Sequence, residues 1–436
     1  MKLRVSGLFL VLLLSCAAVA QTQPQRKGAS VSAYKVIRIG ITGNSRYPTE
    51  QILPLLGLRV GEPAADGDFQ IAVQKLGETG LFTDVSFTYS YSPAGTEVDF
   101  QVKENDKLLP VRFENLVWFS DQEWIEKLRA VVPLFQGNLP AEGNLTDTIA
   151  DALQTMVAQR GNTAARVEVR RPGDEESSVS EIVFSVTGLP IRIQSFEFPG
   201  ASDAERAQLA NAAKRLVGEE YGRSALDVLA KLDLTPVYQR EGKLQAHFAE
   251  AQAKVLSETP QAVEVQALIP VEEGATYKLG KLVWSGNKLF PAAKLDPTLK
   301  VKSGEPVNAV ELKEDLRKVI GMYRMAGYMR AEVTPKATLN DTDATADYAL
   351  EINEGAQYKM GELDISGLDA NGRGRVLQAW NLREGDPYNP AYTHGFVKQP
   401  EAAPKEGNWK IDIAEAVNDS DKTVDVTLTY ANLAAK

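Results

Sequence analysis

Histidine, cysteine and clustered carboxylates are the side chains that most often carry proton transfer, nucleophilic attack or metal ligation, and this sequence is poor in the first two. It has two histidines, His247 and His394, and neither stands at a metal-ligand spacing from a second donor. The one cysteine, Cys16, lies just after the apolar N-terminal run. No glycine-rich loop ends in Lys-Ser or Lys-Thr, and no Gly-x-Ser-x-Gly turn presents a nucleophile. Adjacent carboxylates occur, as in Asp174-Glu175-Glu176, but a charge run of this kind reads as a solvated loop. Asn144-Leu145-Thr146 fits a glycosylation acceptor only in form. The residues therefore predict no enzyme, no metal and no cofactor.

The first residues and the charge balance narrow the setting. Lys2 and Arg4 precede the apolar run Leu8 to Leu14, and Ala18-Val19-Ala20 precede Gln21, which reads as a signal peptide over 1–20. Leu13-Leu14-Ser15-Cys16 offers a second processing route, in which a lipidated Cys16 would tether the chain to a membrane; cleavage before Gln21 is the favoured reading. Residues 21–34 are polar, without periodicity, and read as a flexible linker. Removing the leader leaves 46 basic residues against 58 acidic ones, a net charge of −12, so nucleic acid is not expected as a partner.

The strongest signal is an internal repeat. Gly43, Gly200, Gly286 and Gly367 are each followed 18 positions later by a second glycine and an acidic residue, Gly61-Glu62, Gly218-Glu219, Gly304-Glu305 and Gly385-Asp386. Three of these continue into proline: Pro63, Pro306 and Pro387. A third glycine follows, Gly80, Gly242, Gly327 or Gly407, each leading into an alternating run. An outlying unit has Asn115 at the turn, then Gly137 and Gly161. Five units result, over 35–106, 107–189, 190–274, 275–355 and 356–433.

Periodicity fills in each unit. Val36 to Ile41 and Lys281 to Trp284 read as first strands, closed by Gly43-Asn44 and Gly286-Asn287. Ile52, Leu55 and Leu56 suggest a short first helix. The second helix is marked by Leu312, Leu316, Val319, Ile320 and Tyr323 after an Asn308/Glu311 capping pair, by Phe69, Val73 and Leu76, and by Ile149, Leu153, Met156 and Val157. Ser224 and Asp227 begin the same helix in the third unit, where Pro236 disturbs it. In the fifth unit Gly395, Pro400 and Pro404 predict a missing or distorted second helix. Val85, Phe87 and Tyr89, then Val98, Phe100 and Val102, make a hairpin about Pro93-Ala94-Gly95. Each unit is thus β-α-α-β-β, an α+β layer of two helices on a three-stranded sheet.

With Thr79 to Val85 reading TGLFTDV, Met325-Ala326-Gly327-Tyr328, the Gly-Asn turns and the glycine-acidic-proline elements, the sequence resembles POTRA (polypeptide-transport-associated) domains. Five tandem copies in an elongated array resemble the periplasmic arm of the central subunit of the β-barrel assembly machine, without the membrane barrel. The resemblance implies a periplasmic setting in a Gram-negative-type bacterium. It implies as partners unfolded outer-membrane proteins, a separately encoded barrel subunit or other envelope proteins. Guests would add to a sheet edge, the strand after the third glycine. Those strands are expected at Asp84 to Tyr89, Arg166 to Val169, Gln245 to Phe248, Arg330 to Val333 and Lys410 to Ile413. Candidate partner-binding residues are Val85, Phe87, Tyr89, Val167, Val169, Ala246, Phe248, Ala331, Val333, Ile411 and Ile413. A static scaffold holding an envelope complex, or a remnant of a translocator, is the alternative. Trp118, Trp124, Trp284, Trp380 and Trp409 could contact a guest where exposed, but large aromatics more often pack in a core, and none is singled out for binding.

Overall fold

The computed structural model describes residues 34–173 and 179–433. The leader, Cys16, all but the last residue of the linker and the Asp174-Glu175-Glu176 run lie outside the described residues. The chain divides into two compact units. One is built from residues up to 112 with 123–153 and 169–183, the other from 113–122, 154–168 and 184 onward, so the division falls inside the second repeat.

The first repeat runs β1 (Val36–Thr42), α1 (Thr49–Leu56), α2 (Asp66–Glu78), β2 (Phe82–Ser92) and β3 (Gly95–Glu104). Its sheet order is β1-β3-β2, with β1 parallel and β2 antiparallel to the central β3. The second repeat has β4 (Leu108–Phe113), α3 (Asp121–Val131), β5 (Asn138–Pro140), α4 (Leu145–Ala158), β6 (Arg166–Arg170) and β7 (Ile182–Thr187), in sheet order β5-β4-β7-β6. The third has β8 (Ile191–Glu197), α5 (Asp203–Ala213), α6 (Arg223–Leu229), α7 (Thr235–Arg240), β9 (His247–Phe248), β10 (Gln252–Glu258), β11 (Val263–Leu268) and β12 (Val271–Glu272). The fourth has β13 (Lys278–Ser285), α8 (Ala292–Leu295), α9 (Ala309–Met325), β14 (Glu332–Asn340) and β15 (Thr345–Asn353). The fifth has β16 (Lys359–Ser366), α10 (Ala370–Ala379), α11 (Pro390–Phe396), β17 (Trp409–Asn418) and β18 (Thr423–Asn432).

The central strand of each three-stranded sheet carries the core. Alternate residues of β15, Ala346, Tyr348, Leu350 and Ile352, are buried, as are Val424, Val426, Leu428 and Tyr430 of β18. Their neighbours in sequence face the other side of the sheet. Helices therefore cover one face, and the α+β class follows from burying that face. Against it lie Leu312, Leu316, Val319 and Tyr323 of α9, the helical stripe read from the sequence. Asn308 caps this helix by accepting from the Glu311 N–H at 2.9 Å, and the Glu311 carboxylate pairs with Lys300 at 2.9 Å.

The repeated glycines have backbone work. Gly43, Gly200, Gly286 and Gly367 have φ between +76° and +89°, and a Cβ on any of them would sit 2.0 to 2.2 Å from a carbonyl oxygen of the same repeat. The second unit solves the problem with Asn115, whose amide donates to the Val186 carbonyl at 2.9 Å and accepts from its N–H at 2.7 Å.

The glycine-acidic element 18 residues on closes one rim of the sheet. In the fourth repeat the Gly304 N–H donates to the Leu279 carbonyl at 2.7 Å, the Leu279 N–H to Glu305 at 2.8 Å, and the Val307 N–H to Tyr277 at 2.9 Å. The same three bonds recur with Gly61, Glu62 and Ala64, with Gly218, Glu219 and Tyr221, and with Gly385, Asp386 and Tyr388. In the second repeat the element lengthens into β5, which pairs with β4, so that sheet has four strands where three were expected.

Pro236 does not end its helix. Residues 230–234 widen into a π turn between α6 and α7, Pro236 falls at the start of α7, and the Thr235 hydroxyl donates to the Ala230 carbonyl at 2.8 Å. A wide turn at this point absorbs the missing N–H. The start of α6 also differs from expectation. Its N-cap is Gly222, and the Glu114 carboxylate from the second repeat accepts from both the Ser224 N–H and its hydroxyl at 2.9 Å. In the fifth repeat α11 has seven residues and is followed by a 3-10 turn at Pro400–Ala402.

Two alanine substitutions in the fourth repeat separate these roles. Gly304→Ala meets no atom within 4 Å and carries only the strain of its φ of +84°, about 1 to 2 kcal/mol. Gly286→Ala also drives a Cβ to 2.1 Å from the Ile352 carbonyl oxygen, for a loss above about 3 kcal/mol. Amide hydrogen exchange in β15 of the full chain should rise far more for Gly286→Ala than for Gly304→Ala.

Candidate functional site: the open sheet edges

With one rim engaged by the glycine-acidic element, the other rim of each sheet is an outer strand: β2, β6, β10, β14 and β17. Among the described residues each has a strand neighbour on one side only, and the other side is the one on which an outer strand offers its backbone N–H and C=O groups to an added one. In four repeats this is the strand after the third glycine, as the sequence suggested. The third repeat differs. Gln245 and Ala246 lie in a loop, and His247–Phe248 pair with Val271–Glu272 in a separate two-stranded sheet. Phe248 packs on Tyr238 with ring centroids 5.8 Å apart, and the Ala249 N–H donates to Pro270 at 2.9 Å, which folds this segment back. Ala246 and Phe248 therefore do not belong to the outer strand of the three-stranded sheet, which is β10, four residues further on.

The other expected residues support the edge from behind. Phe87 of β2 packs on Phe69 of α2 and Phe100 of β3, at 5.7 and 6.1 Å between centroids. Val85 is half-buried beside it, and Tyr89 is 39% exposed at the end of the same row. Thr83, Ser86, Thr88 and Ser90 form the exposed face of β2. Val167 and Val169 of β6 are half-buried between exposed Arg166, Glu168 and Arg170. Ala331 precedes β14 and is buried at 3% exposure, so it belongs to the core and not to the edge. Val333, Ile411 and Ile413 are half-buried and pack on the cores of the fourth and fifth repeats. These half-buried side chains pack the strands against the cores of their repeats.

The edges are unequal. β2 is eleven residues long with neither proline nor a basic residue. β14 carries Pro335 in its middle, which removes a donor, and Lys336 beside it. β10 ends in Glu258, which accepts from the Trp118 indole at 2.9 Å, from Asn162 at 3.0 Å and from Arg160 at 2.7 Å. The Arg160 hydrogen bond is the main reason its carboxyl lies below the usual glutamate range.

A family model described as "POTRA: Surface antigen variable number repeat" matches residues 34–105 and 277–355. These two segments are POTRA domains. Over 373 residues the chain is 21% identical to the outer membrane protein assembly factor BamA of Neorickettsia risticii (strain Illinois), covering 82% of this chain. The chain spans about half the length of that curated relative, 48%. Among solved structures it is similar to POTRA3-5 of Haemophilus influenzae BamA, at 16% identity and a TM-score of 0.40, covering 55% of this chain and 95% of that one. It is also similar to POTRA1-3 of the periplasmic domain of Omp85 from Anabaena, at 16% identity and a TM-score of 0.23, covering 56% and 93%.

The POTRA domain at 277–355 is joined on both sides through a third glycine. The Tyr277 N–H donates to the Gly242 carbonyl at 2.9 Å, and the Tyr358 N–H to the Gly327 carbonyl at 2.7 Å. Both tyrosines are buried, and their hydroxyls bond to Asp341 and Asp419, which lie at the tips of the hairpins that carry β14 and β17. At the second joint Arg330 adds a clamp on Asp419, with one guanidinium nitrogen 2.8 Å from the carboxylate. Further upstream Arg223, 8% exposed at its side chain, pairs with Asp121 at 2.6 Å and with Glu250 at 2.9 Å. The Arg223–Asp121 and Arg330–Asp419 pairs were not legible, because each joins residues of different repeats.

The five tryptophans contribute packing and internal hydrogen bonds. Trp124 is fully buried, and the indoles of Trp284, Trp380 and Trp409 donate to Asp296, Leu382 and Glu406 at 2.6 to 2.8 Å. His247 lies 3.4 Å from Glu272 and His394 3.4 Å from Glu415, and no group of three potential metal ligands occurs among the described residues.

The Asp419 clamp has a pH signature. The Arg330 hydrogen bond, then that of Tyr358, hold its carboxyl down at about 2. An unfolded aspartate titrates near roughly 3.9, so the folded value is depressed. The stabilisation is complete above that range and is lost as pH falls through about 2. A carbon-detected NMR titration should show the Asp419 carboxyl rising toward the ordinary range in Arg330→Ala, and by a smaller step in Tyr358→Phe.

Proposed function

We propose that this chain is a periplasmic arm in outer-membrane protein assembly or polypeptide transport. In this reading five POTRA-type modules, 35–106, 107–189, 190–274, 275–355 and 356–433, present sheet edges to extended segments of client or partner chains. The observation that carries it is the repeated sheet order, which engages one rim internally and leaves the outer side of the strand on the other rim without a strand neighbour among the described residues. Backbone pairing is tolerant of guest sequence, which suits a protein that handles many unfolded clients. The two POTRA domains and the likeness to an outer membrane protein assembly factor support the setting. The chain works here as a binding protein and not as an enzyme.

The buried Arg223 pairs favour a second reading, a scaffold that holds partners at fixed spacing without receiving clients. Photoreactive residues at Ser86 of β2 and Thr338 of β14, both exposed, separate the two. Incubated with an outer-membrane barrel polypeptide diluted from urea, the full chain should crosslink at Ser86, and less at Thr338, where Pro335 interrupts the edge. Capture of only a folded envelope partner at both positions would establish the scaffold instead.

A further inference from the structure

One outer strand already has its first outward pair of backbone groups taken. Gln154 projects from α4, whose core face is Ile149, Leu153 and Val157. Its amide nitrogen donates to the Ala165 carbonyl at 3.0 Å, and its amide oxygen accepts from the Val167 N–H at 2.8 Å. These are the two groups on either side of Arg166 that a parallel strand would bind through the N–H and C=O of a single residue. They point away from the sheet. The Arg166 carbonyl, one residue out of phase, lies 3.5 Å from the Thr187 hydroxyl on the neighbouring β7. Backbone groups of successive residues in a strand project to opposite sides, so Ala165 O and Val167 N face outward. The primary amide of Gln154 thus stands in for one residue of a guest strand. Arg166 reinforces it by donating from its own guanidinium to the Ala165 carbonyl at 2.8 Å.

Among the described residues no comparable contact is found on the other open rims. Among the described residues no side chain of α2, α9 or α11 bonds to the backbone of β2, β14 or β17. Gln70 and Gln74 of α2, the nearest chemical equivalents, pair with Asp66 and Glu78 of their own helix at 2.8 and 2.6 Å.

We infer that Gln154 closes the edge of the second repeat, so that extended guests are admitted at β2 and refused at β6 until that amide is withdrawn. Gln154 is a specificity-determining residue: it selects which repeat of the chain can pair. The inference rests on the strand-addition reading for its consequence, but the closure itself is a property of the free chain.

Two measurements on the full chain test these separately. The first is amide exchange at Val167, with Val85 of β2 as the internal reference. Gln154→Met keeps the length and bulk of the side chain and removes both hydrogen bonds, so Val167 should exchange about tenfold faster with Val85 unchanged. Gln154→Glu keeps the acceptor for Val167 and should retain most of the protection. If Val167 exchanges at the wild-type rate in Gln154→Met, the closure is wrong. Should Gln154→Met unfold the repeat, equal loss of Val167 protection in a folded Gln154→Glu would overturn it as well.

The second measurement places a photoreactive residue at Glu168 of β6 or Ser86 of β2, and offers a synthetic peptide of alternating valine and threonine. Capture at Ser86 only in wild type, and at both positions in Gln154→Met, is the expected result. Capture at Glu168 in the wild type as strong as at Ser86, or no gain in the variant while Ser86 still captures, overturns the gating role. Failure at Ser86 in every chain defeats strand addition itself, and the exchange experiment still decides whether Gln154 caps the strand.

Discussion

A three-stranded sheet has two rims of unpaired backbone, and this chain treats them differently. In four of the five repeats glycine followed by an acidic residue bonds back to the start of the repeat through the same three backbone hydrogen bonds, and in the second β5 pairs with β4 instead. With that rim engaged, the hairpin strand on the far rim is the one left outward. The constraint is backbone geometry. The glycines of this element have φ between +84° and +100°, a region where a Cβ is strained. The 18-residue spacing persists because it measures the path from the first turn, through the short helix, to the point where the chain must return to its own first strand.

Much of this was legible and some was not. The glycine spacing, the stripe of Leu312, Leu316, Val319 and Tyr323 and the hairpin around Pro93 led directly to β-α-α-β-β, because each is a local pattern with one stable solution. The outer strand of the third repeat was misplaced. There the third glycine is followed by a loop and the two-residue strand β9, and the true signal was the Thr259 turn between Lys254/Val255 and Val263/Val265. The fourth strand of the second repeat was missed because Asn138–Pro140 is too short to show alternation.

Contacts between repeats left no trace in local sequence. Glu114 caps a helix 110 positions away, and Glu258 gathers Trp118, Arg160 and Asn162 from about 100 to 140 positions back. A periodicity argument sees none of this, because these side chains are polar residues on otherwise ordinary surfaces. They nonetheless decide how free an edge is: β10 is held at its end by the second repeat, β14 is interrupted by its own proline, and β2 carries neither constraint. Similar repeats therefore do not present equivalent edges.

The central claim is that the outer rim accepts an extended chain through its backbone, and amide exchange across β2 reads this most directly. On addition of an unfolded outer-membrane barrel polypeptide to the full chain, alternate amides between Asp84 and Ser90 should gain protection. The amides of β1, on the rim engaged by Gly61 and Glu62, should keep their rates. Unchanged exchange throughout β2 under conditions where the polypeptide is bound would contradict the account.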